Sequence, residues 1–265
     1  MKIIAWLAFA DFSVGKVDKA SLSDQVLMEL FTEGILNREE WCDNTGETLD
    51  ISEWVGVSLN DSGNVVEIEW TWHDLIGNVD FHWLPLHVKS CSLHGNQLRG
   101  SANLNHLPDS HEKLDLSRNA FSGEISLCYL PQQMNFLNLA ENVFCGTLSL
   151  VKLPESLSEL YLGKNSFHGS VCLTQLPPNL TVLDLSENKL SGPIDMTSLP
   201  AKLSHLYLND NFFSGMTDFT HLPKSLSNLS LSCTKLEGTL NVLPKNYWEF
   251  VVHGSSIEKR EVSDE

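Results

Sequence analysis

The sequence predicts a solenoid: short coils stacked along one axis around a shared core, with a parallel β-sheet down one side. Three observations carry this. The dipeptide Leu-Pro recurs every 23 residues, at Leu84-Pro85, Leu107-Pro108, Leu130-Pro131, Leu153-Pro154, Leu176-Pro177, Leu199-Pro200 and Leu222-Pro223. The same apolar positions recur between beats, and the fifth unit, LPPNLTVLDLSENKLSGPIDMTS (176–198), stands for the rest. Two further residue types keep fixed phases. Asparagine falls at Asn96, Asn119, Asn142, Asn165, Asn188 and Asn211; glycine falls at Gly77, Gly100, Gly123, Gly146, Gly169, Gly192, Gly215 and Gly238. A strict period in this range marks a stacked repeat architecture.

Each phase has a physical reading. In the L-x-L segment alternate side chains point to opposite faces of a short strand, so Leu183 and Leu185 face inward while Val182, Asp184 and Ser186 face outward. One unit cannot bury its leucines alone, so units stack and their strands form a parallel sheet. Parallel strands need a long crossover, which the other half of each unit supplies. The asparagines follow each strand, where an amide offers both acceptor and donors to the turn backbone of neighbouring coils. The glycines mark a turn needing positive φ or close approach. Aliphatic residues after them (Val79, Ala102, Ile125, Leu148, Val171, Ile194) predict a second short extended segment, and proline then fixes the entry to the next coil.

The register extends past the Leu-Pro beats. Counting back from Leu84 places a first unit over 61–83, with Val65, Ile68, Trp70, Leu75, Val79 and Phe81 on core phases and His73 in the asparagine column. At the other end Thr234 breaks that column and Leu243-Pro244 arrives two residues early. A partial coil follows, with Tyr247, Phe250, Val252 and Ile257 on core phases. Three regions result: an N-terminal cap region 1–60 with a helix over about 21–33, eight repeats over 61–242, and a partial repeat with C-terminal cap or tail over 243–265. In the cap, Leu22, Val26, Leu30 and Phe31 share a helical face and Gly34 is placed as its C-cap. The charged tail from Glu258 is expected to fray.

The unit LPxxLxxLxLxxNxFxG is identified as a leucine-rich repeat. The phrase Leu190-Ser191-Gly192-Pro193-Ile194 resembles the plant-type class, and the invariant Leu-Pro spacing resembles repeat proteins abundant in kinetoplastid flagellates. The helix followed by Trp41-Cys42 and by Trp54-Val55-Gly56-Val57-Ser58 resembles the N-terminal cap of plant-type members, with Ser58 where those members carry the last cysteine. That leaves Cys42 without its mate. The resemblance implies an α/β-type leucine-rich repeat solenoid: a curved parallel sheet on the concave face, short extended or 3-10 segments on the convex side, and an N-terminal helical cap. It also implies partner binding, usually to another protein, and names no partner.

Composition narrows the function. The formal net charge is −17, which argues against nucleic-acid and anionic-membrane surfaces, since both want a basic patch. It fits either the solubility of a large surface or attraction to a basic partner. No apolar stretch reaches the length of a transmembrane helix. Lys2, the run 3–9 and Ala8-Phe9-Ala10 imitate a signal peptide, but the segment is shorter than usual, as a start assigned too far downstream would leave it. Cys91 occupies a strand core phase; Cys42, Cys128, Cys145, Cys172 and Cys233 sit on other phases with no C-x-x-C. Read as mostly free thiols they lean intracellular, and a truncated signal would instead mean secretion. The sequons at Asn60, Asn179 and Asn228 carry little weight, because about three would arise by chance at this composition.

Chemistry is sparse. The ten histidines scatter over the repeat phases, and there is no H-E-x-x-H, G-x-S-x-G, P-loop or G-x-G-x-x-G. No enzyme activity, cofactor or metal is expected. The outward strand positions are the informative ones, because residues 23 apart become lateral neighbours at ~4.8 Å. They bring Phe136, Tyr161, Val182, Asp184, His205 and Tyr207 into one patch on the concave face. Exposed aromatics are favoured interface anchors; alternatively, they simply pack against one another across strands. The sign-alternating Arg118, Glu141, Lys164 and Glu187 form a rim of lateral ion pairs worth little each. The expected function is a non-enzymatic module, monomeric in isolation, that binds a protein or peptide. A secreted or surface recognition protein and a self-associating structural protein are the alternatives.

Overall fold

The computed structural model describes residues 18–263; the signal-like segment at the start, Asp264 and Glu265 lie outside the described residues. Two sheets run along the molecule. The first has ten strands, Val57–Leu59, Val65–Glu69, Ser90–Ser92, Lys113–Asp115, Phe136–Asn138, Glu159–Tyr161, Val182–Asp184, His205–Tyr207, Asn228–Ser230 and Phe250–Val251. From its second strand onward every pair is parallel, and each register step from Glu67 to Asn228 is 23 residues. The alternation is as expected at Leu183 and Leu185, which are fully buried; Ser186, expected outside, is buried too and donates its hydroxyl to Asp184.

The crossover side carries the expected short extended and 3-10 segments, with 3-10 turns at Phe81–Trp83 and Leu104–His106, and its extended segments join laterally. Nine parallel strands form a second sheet, Ile76–Gly77, Gln97–Ser101, Ala120–Glu124, Val143–Thr147, Ser166–Gly169, Lys189–Gly192, Phe212–Met216, Lys235–Val242 and Ser256–Glu261. In most coils these strands run through the x-F-x-G phase rather than after the glycine. The glycines explain why: all eight have positive φ, and in seven coils the strand ends at the glycine or one residue past it; only Lys235–Val242 runs on beyond its glycine, Gly238. The Leu-Pro beat closes the coil. The N–H three residues past the proline donates to the proline carbonyl, as from Leu180 to Pro177 at 3.1 Å and from Leu203 to Pro200 at 3.0 Å.

Between the sheets lies one continuous core. The strand leucines line one side, and fully buried Phe121, Phe144 and Phe167 stack at 6.2 and 6.4 Å between ring centroids. The asparagine column stitches coil to coil. Asn142 Oδ1 accepts from the Phe121 N–H at 3.0 Å, and its Nδ2 donates to the carbonyls of Leu116 at 2.9 Å and Leu139 at 3.2 Å. Asn96, Asn119, Asn165, Asn188 and Asn211 repeat the same three contacts on their own coils.

The helix of the cap is Asp24–Phe31, shorter than the expected span because Ser23 caps it: the Ser23 hydroxyl accepts from the Val26 N–H at 3.4 Å. Its buried face is Leu27, Met28, Leu30 and Phe31, with Leu22 and Val26 at the half-buried edge. Gly34 is not the C-cap; the helix ends at Thr32 with φ −100°. Glycine is required at 34 for another reason, since a Cβ there would stand 1.7 Å from Asn78 Oδ1. Trp41 stacks on Trp54 at 5.2 Å and on Trp70 at 4.4 Å, and Phe31 joins Trp70 to Phe81. The antiparallel Val57–Leu59 then covers the edge of the first repeat strand. At the far end, Phe250 pairs with Leu229, a step of 21, and Ile257 pairs with Gly238, a step of 19 against 21 elsewhere in that sheet. Both are the two-residue deletion announced by the early Leu243-Pro244. The tail expected to fray is instead the strand Ser256–Glu261, because its backbone completes the second sheet. Phe250 and Ile257 are buried, Tyr247 and Val252 half-buried.

Candidate functional site

All six residues singled out on the outward strand phases lie on the first sheet, half-buried. They form two rows. Phe136, Glu159, Val182 and His205 are successive lateral partners, and so are Tyr161, Asp184 and Tyr207, with Asn138 beside Tyr161. The strands hold the rows about 4.8 Å per step, on a backbone fixed by parallel ladders on both sides. Phe136 and Tyr161 approach to 5.9 Å between centroids, and His205 and Tyr207 to 6.2 Å. The His205 ring nitrogen Nδ1 lies 2.7 Å from the Ser204 hydroxyl.

The electrostatics are acidic. The Tyr161 hydroxyl donates to Glu159 Oε2 at 2.8 Å. Burial first, then that bond and the neighbouring carboxylates, hold the Tyr161 phenol well above the ordinary tyrosine range. Burial, Asp184 and Glu249 raise Tyr207 in the same direction. Both phenols therefore stay neutral donors at any physiological pH. Asp184 Oδ1 accepts from the N–H and hydroxyl of Ser186 at 2.9 and 2.6 Å. Beside this patch, on the same face, a hollow of about 340 Å³ is lined by Ser90, Ser92, Lys113, Asp115, Phe136 and Glu159.

Sequence reasoning passed over two residues of the patch. Glu159 shares a row with Phe136 and anchors the Tyr161 hydroxyl; its place on an outward phase was signal enough. Gly163 is less visible. It lacks the positive φ of the glycine column, yet a Cβ there would stand 2.7 Å from Asp184 Oδ2. On the rim, Arg118 meets Glu141 at 3.2 Å, and Lys164 stands 3.7 Å from Glu141 and 4.0 Å from Glu187, as the alternating signs predict. Among the described residues no three His, Cys, Asp or Glu side chains converge as a metal site, and no helix is long and apolar enough to cross a membrane.

Parallel strands at a 23-residue step, with an asparagine ladder behind them, define the fold of a leucine-rich repeat solenoid. The leucine rich repeat family model matches residues 179–199, the heart of the fifth unit. Among solved structures the chain is similar to the Arabidopsis receptor kinase HAESA, in complex with the peptide hormone IDA and the co-receptor SERK1. That likeness has a TM-score of 0.57 at 20% identity, over 88% of this chain and 50% of that one. It is also similar to Pollen Receptor Kinase 3, with a TM-score of 0.53 at 24% identity over 76% and 95% of the two chains. YopM from Yersinia enterocolitica WA-314 gives 0.53 at 28% identity over 68% and 36%. No curated protein sequence matches the chain.

Proposed function

We propose that this chain is a non-enzymatic binding module that takes a protein or peptide partner on its ten-stranded sheet. Contact centres on Tyr161 and Tyr207, with Phe136, Val182, Asp184 and His205 around them. The observation that carries this is the pair of rows: aromatic and polar side chains in lateral register on a rigid sheet whose other side is the core. Half-buried aromatics on preordered strands lose little entropy on binding, which is what interface anchors need. The likeness to HAESA adds an analogy of fold only, since repeat scaffolds place ligand choice in their variable outward residues.

The test replaces both tyrosines with alanine and compares capture from native lysate on the immobilised wild type and on a double variant with an unchanged melting curve. A discrete protein held by the wild type should bind the variant at least ~2 kcal/mol more weakly, about thirtyfold. The same proteins held equally by both would remove the two tyrosines from any binding site.

A further inference from the structure

Two aspartates in one row of the sheet make the same turn and end in different surroundings. Asp115 Oδ1 accepts from the N–H and hydroxyl of Ser117 at 2.9 and 2.5 Å, just as Asp184 Oδ1 accepts from Ser186 at 2.9 and 2.6 Å. The second oxygens differ. Asp115 Oδ2 accepts from Asn138 Nδ2 at 3.2 Å, and His94 stands 3.9 Å from that carboxylate. Asp184 Oδ2 accepts no hydrogen bond and meets no lysine or arginine among the described residues. Its lateral neighbours are Tyr161 on one side and Tyr207 on the other. A half-buried aspartate with one oxygen unpartnered, on a strand flanked by two tyrosines, is an unfinished ion pair.

The seat of this carboxylate is built. Gly163 has no conformational need for glycine, yet any side chain there would collide with both Asp184 oxygens, at 2.7 and 2.9 Å. The surroundings add negative charge, from Glu159 on the Tyr161 hydroxyl and from Glu249 towards Tyr207. A cation against a tyrosine ring already occurs in this molecule: Lys259 Nζ lies 3.8 Å from the Tyr247 ring centroid.

We propose that Tyr161, Asp184 and Tyr207 form a receptor for one arginine side chain of the partner. The guanidinium donates to Asp184 Oδ2 and lays its plane against a flanking tyrosine ring. Arginine fits better than lysine because one planar group both donates and stacks. This rests on the reading that the sheet face binds a partner, and it specifies the chemistry that face selects.

The chain has four tyrosines, Tyr129, Tyr161, Tyr207 and Tyr247, so ring signals of tyrosine-labelled protein report the site separately. N-acetyl-arginine amide is titrated against N-acetyl-citrulline amide, its neutral isostere. Tyr161 and Tyr207 should shift saturably with the arginine probe and not with citrulline, while Tyr129 and Tyr247 stay still. Asp184→Asn should weaken binding on the order of tenfold. That variant keeps the turn, because Asn138 makes it in the same row, its Oδ1 accepting from the Ala140 N–H at 3.1 Å. No saturable shift at the two tyrosines, equal binding of citrulline, or indifference to Asp184→Asn would each overturn the receptor. The titration involves no partner protein, so its failure leaves the partner-binding reading of the face to its own test.

Discussion

At the scale of single residues, the repeat exposes its exceptions. His111 stands on a phase that Val88, Met134, Leu157, Leu180, Leu203 and Leu226 fill with apolar side chains, and it is as fully buried as they are. Its Nδ1 donates to the Val88 carbonyl at 3.0 Å, while Nε2 has no partner in the core. Burial pushes the imidazole down from 6.5 to about 4, against the smaller pull of the Val88 bond. Between those two values the unfolded chain binds a proton that the folded chain refuses. Stability is therefore full above pH 6.5 and falls as pH drops towards 4, by roughly 3 kcal/mol in total. His111→Leu should remove that slope: between pH 7 and pH 5 the unfolding free energy of the wild type should fall about 2 kcal/mol further than that of the variant. Parallel pH profiles in urea titrations would show that His111 is not the group responsible. The phase of His111 could be read from the register, but its loneliness could not, because the unpaired nitrogen depends on what the neighbouring coils present. Backbone strain was equally hidden. Arg118, Glu141, Lys164, Glu187, Asp210 and Cys233 share one left-handed position with φ between 51° and 55°, and only Gly95 and Gly254 near the two ends of that column hint at it.

At the scale of the coil, the asparagine column was legible and its failure is informative. An amide at this phase reaches two coils: Asn211 donates to Leu185 of the preceding coil at 2.9 Å and accepts from the Leu190 N–H at 3.0 Å. Thr234, on the same phase one coil later, donates only to Leu231 of its own coil, at 2.8 Å. Thr234→Asn should restore the contacts that the register provides, to the Phe213 N–H and the Leu208 carbonyl. The site is buried like the asparagines, so the gain is about 1–2 kcal/mol, read as a raised denaturation midpoint at unchanged slope. A lowered midpoint would mean that the shortened last coil has already moved the backbone out of reach. The strand phases, the glycine turns and the two-residue deletion were all visible as spacing, because one rigid period determines them. The second sheet was not, because its strands pair at an offset of 21 rather than 23, a shift set by how the coils lean on one another. The site shows the same division. Its rows follow from the period, whereas the free oxygen of Asp184 depends on Tyr161 and Tyr207 standing where Asn138 stands for Asp115.

Over the whole molecule the two ends are built differently. In a solenoid each coil contacts only its neighbours, so stability is a sum of local terms and the weakest end opens first. The N-terminal end is closed by the Trp41, Trp54 and Trp70 stack, by the helix Asp24–Phe31 and by an antiparallel strand on the sheet edge. The C-terminal end has a two-residue strand in the first sheet, an exposed Trp248, and residues at the asparagine phase that bond only within their own coils. Ser255, at the asparagine phase, bonds Val252 as Thr234 bonds Leu231. The second sheet ties the last coil over the longer stretch, through six paired residues ending at Glu261, against two in the first. Hydrogen exchange should therefore show a gradient. Amides of Phe250 and Val251 should exchange through local opening, those of Ser256–Glu261 more slowly, and those of Glu159–Tyr161 only with global unfolding. Thr234→Asn should raise protection at the C-terminal end more than at the centre, because it adds bonds across the junction where the opening begins. Uniform protection from end to end would mean that the coils unfold as one unit, and that the missing amide contacts have no bearing on where this solenoid opens.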